Sequence, residues 1–498
     1  MLGRTAVFLS TRDAFKILLP VSRGARAAAL QCVEVVHLAG RGETPAATAG
    51  FTAAITVVLD RTRRQLKSLK LSYRGPGAHS LDACTARTTP RPSWSRGITE
   101  LPARLCDCAA LNTLVVSGCR GRVVLPARLG YCAALTALNL SYCDGLDVAA
   151  LDRLCDCAAL KVLNLSYCRG LTMLPMRIGD CASLTTLKLS RCSGLTALPE
   201  RLGDCAALTI LDLSDCLGLG ELPWRLGDCV ALTTLDLFRC KGLGVLPWQL
   251  VNCAALMTLD ISACSGLVSL PWLGDCAALT KLVISWCPGL APLEWLVGCK
   301  ALTMLGMSGC YAITSLPARL GDCALRTLDL SGCAGLTTAA LVSLCDCAAL
   351  TNLNLSRCRG LTALPEQLGD CAALILLDLS RCSGLVALPS RLGDCTALTT
   401  LLLPFCSGLT ALPSRLGDCA ALTTLNLPRC TGLAALPERL GDCAALTALN
   451  LSRCSGLAAL PERLENCGLT TLRLAECSRL RHSVVVTRLE AQGCVVTF

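Results

Sequence analysis

Cysteine is the residue type in this sequence that could carry the most chemistry, because 38 of the 498 residues are cysteines and they recur in pairs. The stretch 416–446 reads LGDCAALTTLNLPRCTGLAALPERLGDCAAL, and its first seven residues return as its last seven. Thiols at such regular spacing could form disulfides, bind a metal ion or fill an apolar core. The choice among these depends on the elements that position them.

The cysteines belong to a strand pattern, LxxLxLxxC, whose positions we number one to nine. A weaker copy starts at Leu66 and a degenerate last copy ends at Cys494, as expected for the two ends of a stack. A single copy is too short to bury its own leucines, so neighbouring copies must bury each other's. Most copies are 24 residues apart and some are 23 or 25, and the sixteen full copies start at Leu111, Leu135, Leu160, Leu184, Leu208, Leu232, Leu256, Leu279, Leu302, Leu325, Leu350, Leu374, Leu398, Leu422, Leu446 and Leu469.

Each copy is predicted to form one short strand and to return through a tight helical turn. In the copy from Leu422, Thr424 and Asn426 alternate with leucines, so the leucines should face inward. Gly432 would permit the bend after the strand, and Pro437 suits the first residue of the helical turn. The pattern is that of the leucine-rich repeat. It predicts an α/β solenoid, a horseshoe with a parallel sheet on its concave face and short helical or 3-10 turns on its convex side.

Two cysteines occur in every copy, one at position nine and one two or three residues before the first leucine. Equivalent thiols on stacked copies would point into the core side by side, which is poor geometry for disulfides. The CDC phrases that end at Cys108, Cys157 and Cys347 have no nearby histidine and are weak metal signals. We therefore predict buried thiols, with no metal and no cofactor. The position-nine thiol should cap the strand where many leucine-rich repeats have Asn, and the other should replace a core aliphatic residue.

The cysteines also bear on the compartment, because free thiols on this scale suit a reducing interior. No secretory signal opens the chain, and the NLS phrases from Asn139, Asn164, Asn354 and Asn450 would place sugars on the predicted sheet if the protein were secreted. A cytoplasmic or nuclear protein is predicted. Organelle import stays open, since the first 33 residues hold five basic residues and one acidic residue.

Charge and hydropathy exclude two classes of partner. The net charge is +10, but residues 1–97 carry all of it, with 15 basic and 5 acidic residues. The repeats that follow balance to zero, so they lack the basic footprint of a nucleic-acid-binding surface. Apolar runs are interrupted before the ~20 residues that a membrane span requires. We expect no nucleic acid and no membrane.

No catalytic constellation appears in the repeats. His37, His79 and His482 lie outside the regular copies, and no nucleophile motif or phosphate-binding loop is present. The chain is predicted not to be an enzyme. Charged and aromatic side chains instead mark two candidate partner-binding surfaces. The first lies on the concave face and comprises Tyr142, Tyr167, Arg191, Asp212, Asp236, Phe238, Arg239, Asp260, Trp286, Asp329, Arg357, Asp378, Arg381 and Phe405.

The second surface is a set of four outer tryptophans that follow the Leu-Pro pair or its equivalent, namely Trp224, Trp248, Trp272 and Trp295. Other copies have Glu or Ser there, which indicates a solvent-facing position. A partner or self-association surface is one interpretation. The alternative is a locally repacked layer in which the indoles turn inward.

The phrase LxxLPERLGDC resembles the repeats of plant intracellular Ras-group proteins and of plant disease-resistance receptors. The 25-residue copies that run from Cys143 and Cys333 resemble the cysteine-containing repeats of F-box proteins. These resemblances are specific for the fold and say little about the partner. Our leading prediction is a non-catalytic scaffold that recognises a protein partner through its concave sheet.

Residues 7–30 resemble the later half of an F-box, through Phe8-Leu9, Asp13, Leu18-Leu19 and Val21-Ser22. That resemblance implies apolar helices that bind the Skp adaptor of a cullin ubiquitin ligase, with the repeats as substrate receptor. An amphipathic cap and a transit peptide are the other interpretations. We predict an N-terminal segment at 1–65, an irregular repeat with a loop insertion at 66–97, regular repeats at 98–482 and a capping repeat at 483–498.

Overall fold

The computed structural model describes residues 6–10, 35–41, 53–60 except 54 and 57, 66–74, 101–119, and 122–498 except 147, 291–295, 297 and 318–319. The chain divides into two compact units, Met1–Leu256 and Met257–Phe498. Each unit contains a parallel sheet to which successive repeats add one strand. Within the described ranges, no helix combines the length and apolarity needed to cross a bilayer.

Nine strands form the sheet of the first unit, within the part of the chain that the structure describes. Each pairs in parallel with the next, and their inner leucines are in register, as in Leu187, Leu211 and Leu235. A separate pair is formed by β5 (Arg122–Val123) and β7 (Gly145–Leu146). The sheet strands are β1 Ala6–Ser10, β2 Val35–Arg41, β3 Ser68–Arg74, β4 Thr113–Ser117, β6 Ala137–Asn139, β8 Val162–Asn164, β9 Thr186–Lys188, β10 Ile210–Asp212 and β11 Thr234–Asp236.

The second unit has the same construction, with eleven strands among its described residues. Their register keeps Leu377, Leu401, Leu425 and Leu449 in line across four neighbouring strands. The strands are β12 Thr258–Asp260, β13 Lys281–Val283, β14 Met304–Gly306, β15 Thr327–Asp329, β16 Asn352–Asn354, β17 Leu376–Asp378, β18 Thr400–Leu402, β19 Thr424–Asn426, β20 Ala448–Asn450, β21 Thr471–Arg473 and β22 Val495–Thr497.

The return of each repeat passes through a short 3-10 helix, as predicted. In the described chain the first unit has them at Ala103–Asp107, Leu129–Tyr131, Arg153–Asp156, Met176–Asp180, Glu200–Asp204, Trp224–Asp228 and Trp248–Asn252. The second has them at Leu273–Asp275, Leu320–Asp322, Ala339–Asp346, Glu366–Asp370, Ser390–Asp394, Ser414–Asp418, Glu438–Asp442, Glu462–Asn466 and Ser478–Leu480. Two short α-helices, α1 (Val148–Asp152) and α2 (Val484–Ala491), occur in one 25-residue repeat and in the last repeat.

Proline and glycine have slightly different roles from those predicted. Pro437 lies one residue before its 3-10 helix, with φ −68° and ψ 141°, so it ends the extended segment rather than beginning the helix. Gly432 is required by close approach, because a Cβ there would lie 2.5 Å from the carbonyl oxygen of Ser407 in the preceding repeat. At Gly432 the neighbouring repeat sets the constraint, which the pattern within one copy did not reveal.

The core is a continuous column of leucines, as predicted. Leu422, Leu425 and Leu427 have no exposed surface, while Thr424 and Asn426 between them are partly exposed. Burying each leucine is worth roughly 1.5–3 kcal/mol. Because one repeat supplies several such side chains and its neighbours supply the cover, stacking is the dominant stabilising term.

Both cysteines of a repeat are buried, and both act as hydrogen-bond donors across repeats. The position-nine thiol of Cys430 donates to the carbonyl of Leu403 at 3.1 Å, which confirms the predicted capping role. The other thiol, Cys419, donates to the carbonyl of Leu392 in the preceding 3-10 helix at 3.4 Å. The prediction that this second cysteine takes the place of a core aliphatic residue agrees with its burial but did not include this hydrogen bond. The carbonyl of Leu392 also accepts the backbone N–H of Cys395, at 3.2 Å.

The N-terminal segment adds two strands to the sheet, since β1 pairs with β2 and β2 pairs with β3. Phe8 and Leu9 lie in β1, where the F-box resemblance predicted helical structure. The other residues that carry the resemblance, from Asp13 to Ser22, lie outside the described residues, as does Trp295 of the outer tryptophans.

Candidate protein-binding surface

The carboxylates predicted on the sheet are at position five, and each one shapes the turn that follows its strand. Asp236 Oδ1 accepts the backbone N–H of Phe238 at 2.9 Å. Where the same position is Asn, as in Asn354, its Oδ1 accepts the equivalent N–H at 3.0 Å. One oxygen of each acid is thus used within the protein, and Asp and Asn are interchangeable in this role. The same bond, at 2.8–3.0 Å, is made by Asp212, Asp260, Asp329 and Asp378.

The arginine and aromatic residues predicted on the concave face lie in the turn immediately after each strand. Phe238 is at position seven and the others are at position eight. Position eight has a positive φ throughout, for example 63° at Tyr142 and 62° at Phe405. We call these side chains the position-eight row. In the first unit it comprises Gly118, Tyr142, Tyr167, Arg191, Asp215 and Arg239, and in the second Ala263, Trp286, Gly309, Gly332, Arg357, Arg381, Phe405, Arg429, Arg453 and Glu476.

A left-handed conformation costs a non-glycine residue about 1–2 kcal/mol, so it needs compensation. Hydrogen bonds between repeats supply it. The N–H of Arg429 donates to the carbonyl of Ser452 in the next repeat at 2.8 Å, and the N–H of Tyr142 donates to Ser166 at 2.8 Å. These bonds fix the backbone at position eight and so place the side chains of successive repeats next to one another.

In the first unit, the row is a chain of stacked and ion-paired groups. The rings of Tyr142 and Tyr167 stack with centroids 4.1 Å apart, and the Arg191 guanidinium lies 5.0 Å from the Tyr167 ring. Burial and the neighbouring Tyr167 hydroxyl raise the pKa of Tyr142 to about 12. Asp215 then bridges Arg191 at 3.2 Å and Arg239 at 2.8 Å. Asp215 was missing from the predicted surface, although its position in the register could have revealed it.

In the second unit, an aromatic ring takes the central place between two arginines. Phe405 has the Arg381 guanidinium 4.5 Å from its ring centroid and the Arg429 guanidinium 5.0 Å from it. Arg381 and Arg429 are exposed, and Phe405 is partly exposed. Further along, Arg453 pairs with Glu476 at 2.5 Å. Stacking on the ring limits the motion of both guanidinium planes and leaves their N–H edges accessible to a partner.

A second set of arginines lies within the 3-10 helices, and its charges are neutralised by aspartates of the same protein. Arg201 contacts Asp180 of the preceding repeat at 2.5 Å and Asp204 of its own repeat at 3.1 Å. In the second unit, Arg415 contacts Asp394 and Asp418 in the same way, at 2.5 and 3.2 Å. We call this set the convex ladder. The prediction did not include it, although the RLGD phrase sets Arg and Asp at the required spacing.

The outer tryptophans that the structure describes are exposed. Trp224 and Trp248 begin 3-10 helices of the first unit with 52% and 68% of their surface accessible, and Trp272 in the second unit has 49%. For these three residues, the alternative of inward-turned indoles is wrong. Glu200 begins the equivalent 3-10 helix of another repeat, so this position accepts a charged residue.

No family model matches the sequence, and no curated protein matches it. Solved structures do match. A leucine-rich-repeat protein of Leptospira interrogans is similar with a TM-score of 0.52 and 20% identity, over 96% of this chain and 98% of that one. The chain has the leucine-rich-repeat fold. The Drosophila Toll–Spatzle complex is similar with a TM-score of 0.63 and 17% identity, over 94% of this chain and 60% of that one.

The leucine-rich-repeat fold explains why candidate residues far apart in sequence form rows. Residues at one register position come from successive strands, which lie about 4.8 Å apart in a sheet. Among the described residues, no group of His, Cys, Asp and Glu side chains could hold a metal ion. What the geometry offers is an extended surface with repeating side chains, which suits recognition of a second macromolecule.

Proposed function

We propose that this leucine-rich-repeat chain is a non-catalytic recognition scaffold that binds a protein partner through the position-eight row. The observation that carries the proposal is the arginine–phenylalanine–arginine stack of Arg381, Phe405 and Arg429. Arginine and aromatic side chains are the residues that most often dominate the energy of protein interfaces. Here the two arginines are exposed, the ring between them is partly exposed, and the three side chains are adjacent. The similar Toll structure is a complex with Spatzle, which shows the fold in a protein complex there.

The test is a comparison of two variants with the same loss of charge. R381A/R429A removes two arginines from the row, and R391A/R415A removes two from the convex ladder. Arg381, Arg429 and Arg415 are exposed and Arg391 is partly exposed, so neither variant should unfold the protein. Full-length protein is immobilised and captured proteins are quantified by mass spectrometry. The row variant should lose specific partners at least tenfold, while the ladder variant keeps them. If both variants retain every partner at the wild-type level, the row is not the binding surface.

The outer tryptophans are further candidates for partner binding, because indoles as exposed as those of Trp224 and Trp248 in the first unit and Trp272 in the second are unusual on a chain with only 3% aromatic residues. The variant W224E/W248E/W272E introduces the residue that other repeats carry there. We expect the fold to persist and a partner, or a second copy of the chain, to be lost. Light scattering on the purified protein and the same capture experiment measure the two outcomes. Unchanged mass and unchanged capture would remove these residues from the binding surface.

The alternative function, a substrate receptor of a cullin ubiquitin ligase, has less support. Its resemblance places helical structure at Phe8 and Leu9, where the chain forms β1. It predicts that Skp and cullin co-purify with the full chain and that residues 7–30 are required. Co-purification that survives deletion of residues 7–30 would contradict this route of attachment.

For location, we propose the cytoplasm or the nucleus. The support is that thiols such as Cys430 act as buried hydrogen-bond donors, a role that requires the reduced S–H group. Fluorescence imaging of the chain tagged at its C-terminus tests this, and an organelle location with a shortened N-terminus would support the transit-peptide interpretation instead.

A further inference from the structure

The two sets of arginines in the second unit differ in how their charge is balanced. Arg391 and Arg415 of the convex ladder each contact two aspartates. Arg357, Arg381 and Arg429 of the position-eight row make no ion pair with any other described residue. Their positive charge is therefore free for a ligand from outside the chain.

The row itself shows what kind of group completes such a set. In the first unit, Asp215 stands between Arg191 and Arg239 and binds both of them, with 12% of its side chain exposed. At the end of the second unit, Glu476 pairs with Arg453. The fold thus presents row arginines to carboxylates in two places. Phe405 occupies the place equivalent to that of Asp215. The row therefore offers no carboxylate between Arg381 and Arg429, and a ligand would have to supply one.

From this difference we propose that Arg357, Arg381 and Arg429, with Phe405 as the positioning residue, bind an acidic extended segment of a partner protein. The proposal rests on the recognition function proposed above and names the chemistry of the partner. Arg381 and Arg429 are two repeats apart, which corresponds to roughly 10 Å in a sheet. A polyproline II segment brings every third side chain to the same face at a spacing of about 9.3 Å. The segment should therefore carry carboxylates three residues apart.

The distribution of charge favours an acidic peptide over a nucleic acid. A nucleic acid would extend its phosphates beyond these three arginines, and past Arg357 it would meet Asp329 at the end of the neighbouring strand β15. Asp378 ends β17 within the cluster, and its carboxylate already accepts the N–H of Ser380. The regular repeats also carry no excess of basic residues. A short segment with few carboxylates matches the small size of the unpaired arginine cluster.

The experiment measures fluorescence anisotropy of labelled peptides with the full chain. The probe is a nine-residue peptide of three Glu-Pro-Ala units. One control peptide has Gln for Glu, and another has the same composition with its three Glu residues adjacent. We expect the probe to bind and the Gln peptide to fail. The adjacent-Glu peptide should bind at least fivefold more weakly, since it cannot reach both arginines from one face.

The decisive variant is Phe405→Asp, which recreates the arrangement of Asp215 and should satisfy Arg381 and Arg429 internally. Asp215 adopts the required φ of 59°, so the fold should accept the change, and a thermal melt verifies this. Probe affinity should fall at least tenfold in F405D and stay within twofold in R391A/R415A. Equal affinity in F405D, or equal affinity for the adjacent-Glu peptide, would overturn the proposal.

Two further outcomes separate this inference from the recognition function. If the probe fails to bind the wild type while R381A/R429A still loses its captured partner, the acidic segment is wrong but recognition through the row stands. If single-stranded RNA of mixed sequence binds more tightly than the probe and F405D abolishes that binding, the row is a nucleic-acid surface and both proposals fail.

Discussion

The indole ring of Trp286 lies directly over Gly309 of the next repeat, where an added Cβ would be 2.7 Å from the ring carbon Cε3. Both residues belong to the position-eight row, and Gly309 has a φ of 70°. The ring is also 6.3 Å from Tyr311, which it meets edge to face. A large side chain in one repeat has therefore set the size of the residue in the next, a dependence that no single copy of the repeat reveals.

The Gly309→Ala substitution should reduce stability through two effects, the positive φ and displacement of the Trp286 ring. Gly332→Ala is the matched control, because its φ is 72° but its Cβ would meet nothing closer than 3.6 Å. Positive φ alone should cost about 1 kcal/mol in both variants. We expect G309A to lose more than G332A in urea unfolding and to shift the tryptophan fluorescence, whereas equal losses and unchanged fluorescence would contradict the packing described.

The carboxylate of Asp378 should be needed for its shape more than for its charge. It accepts the N–H of Ser380 at 2.8 Å, and it also accepts that residue's hydroxyl group. D378N keeps the accepting oxygen and should be close to neutral, while D378A should cost roughly 1 kcal/mol. Thermal melts of the two variants measure this, and a D378N protein as unstable as D378A would show that charge is the important property.

The thiol at position nine should contribute to the free energy of unfolding as a hydrogen-bond donor. Cys430→Val removes the hydrogen bond to Leu403 while keeping an apolar side chain, and Cys430→Ser retains a donor. The carbonyl of Leu403 also accepts the N–H of Cys406 at 3.3 Å, so it is not left without a partner. We expect C430V to cost about 0.5–1.5 kcal/mol and C430S to cost less. The reverse order in denaturant unfolding would show that apolar burial matters more than donation.

Stability should fall steeply in alkali. Burial raises the pKa of Cys430 and of Cys382 to about 12, above the value of about 8.5 for a free thiol. A raised folded-state pKa contributes stability that is complete below the unfolded pKa and is lost as the pH rises toward 12. Each such thiol can remove about 1.4 kcal/mol per pH unit in that window.

Melting temperatures of the reduced protein should therefore be level from pH 7 to 8 and decline increasingly above pH 9. C430S, which has one titrating thiol fewer, should show a slightly shallower decline than the wild type. A melting temperature that is constant to pH 10.5 would be incompatible with thiols that are buried and protonated in the native state.

Much of the fold could be predicted because each copy of the repeat contains the hydrophobic pattern that determines its strand and its core. Leu425 alternates with polar neighbours, so its inward orientation follows from the two-residue period of a strand. Cys430 follows that strand at a fixed distance, which indicated its capping role. The acceptors of the two thiols could not be predicted from one copy, because the carbonyls of Leu403 and Leu392 both belong to the preceding repeat. The turn at position eight was not predicted, because its left-handed conformation leaves no signal in residue type, since Arg, Tyr, Trp and Phe all adopt it.

The sequence by itself determined the leucine-rich-repeat fold, the burial of the thiols and the register that lines up equivalent positions, because period and hydrophobicity are properties of the chain. Only the tertiary structure decided which charges are free. Arg381 and Arg391 are ten residues apart and chemically identical, yet one is stacked on Phe405 and the other is paired with Asp370 and Asp394. The physical reason is that an ion pair forms only between groups that neighbouring repeats bring within a few ångströms of each other. The packing of one repeat against the next sets those distances.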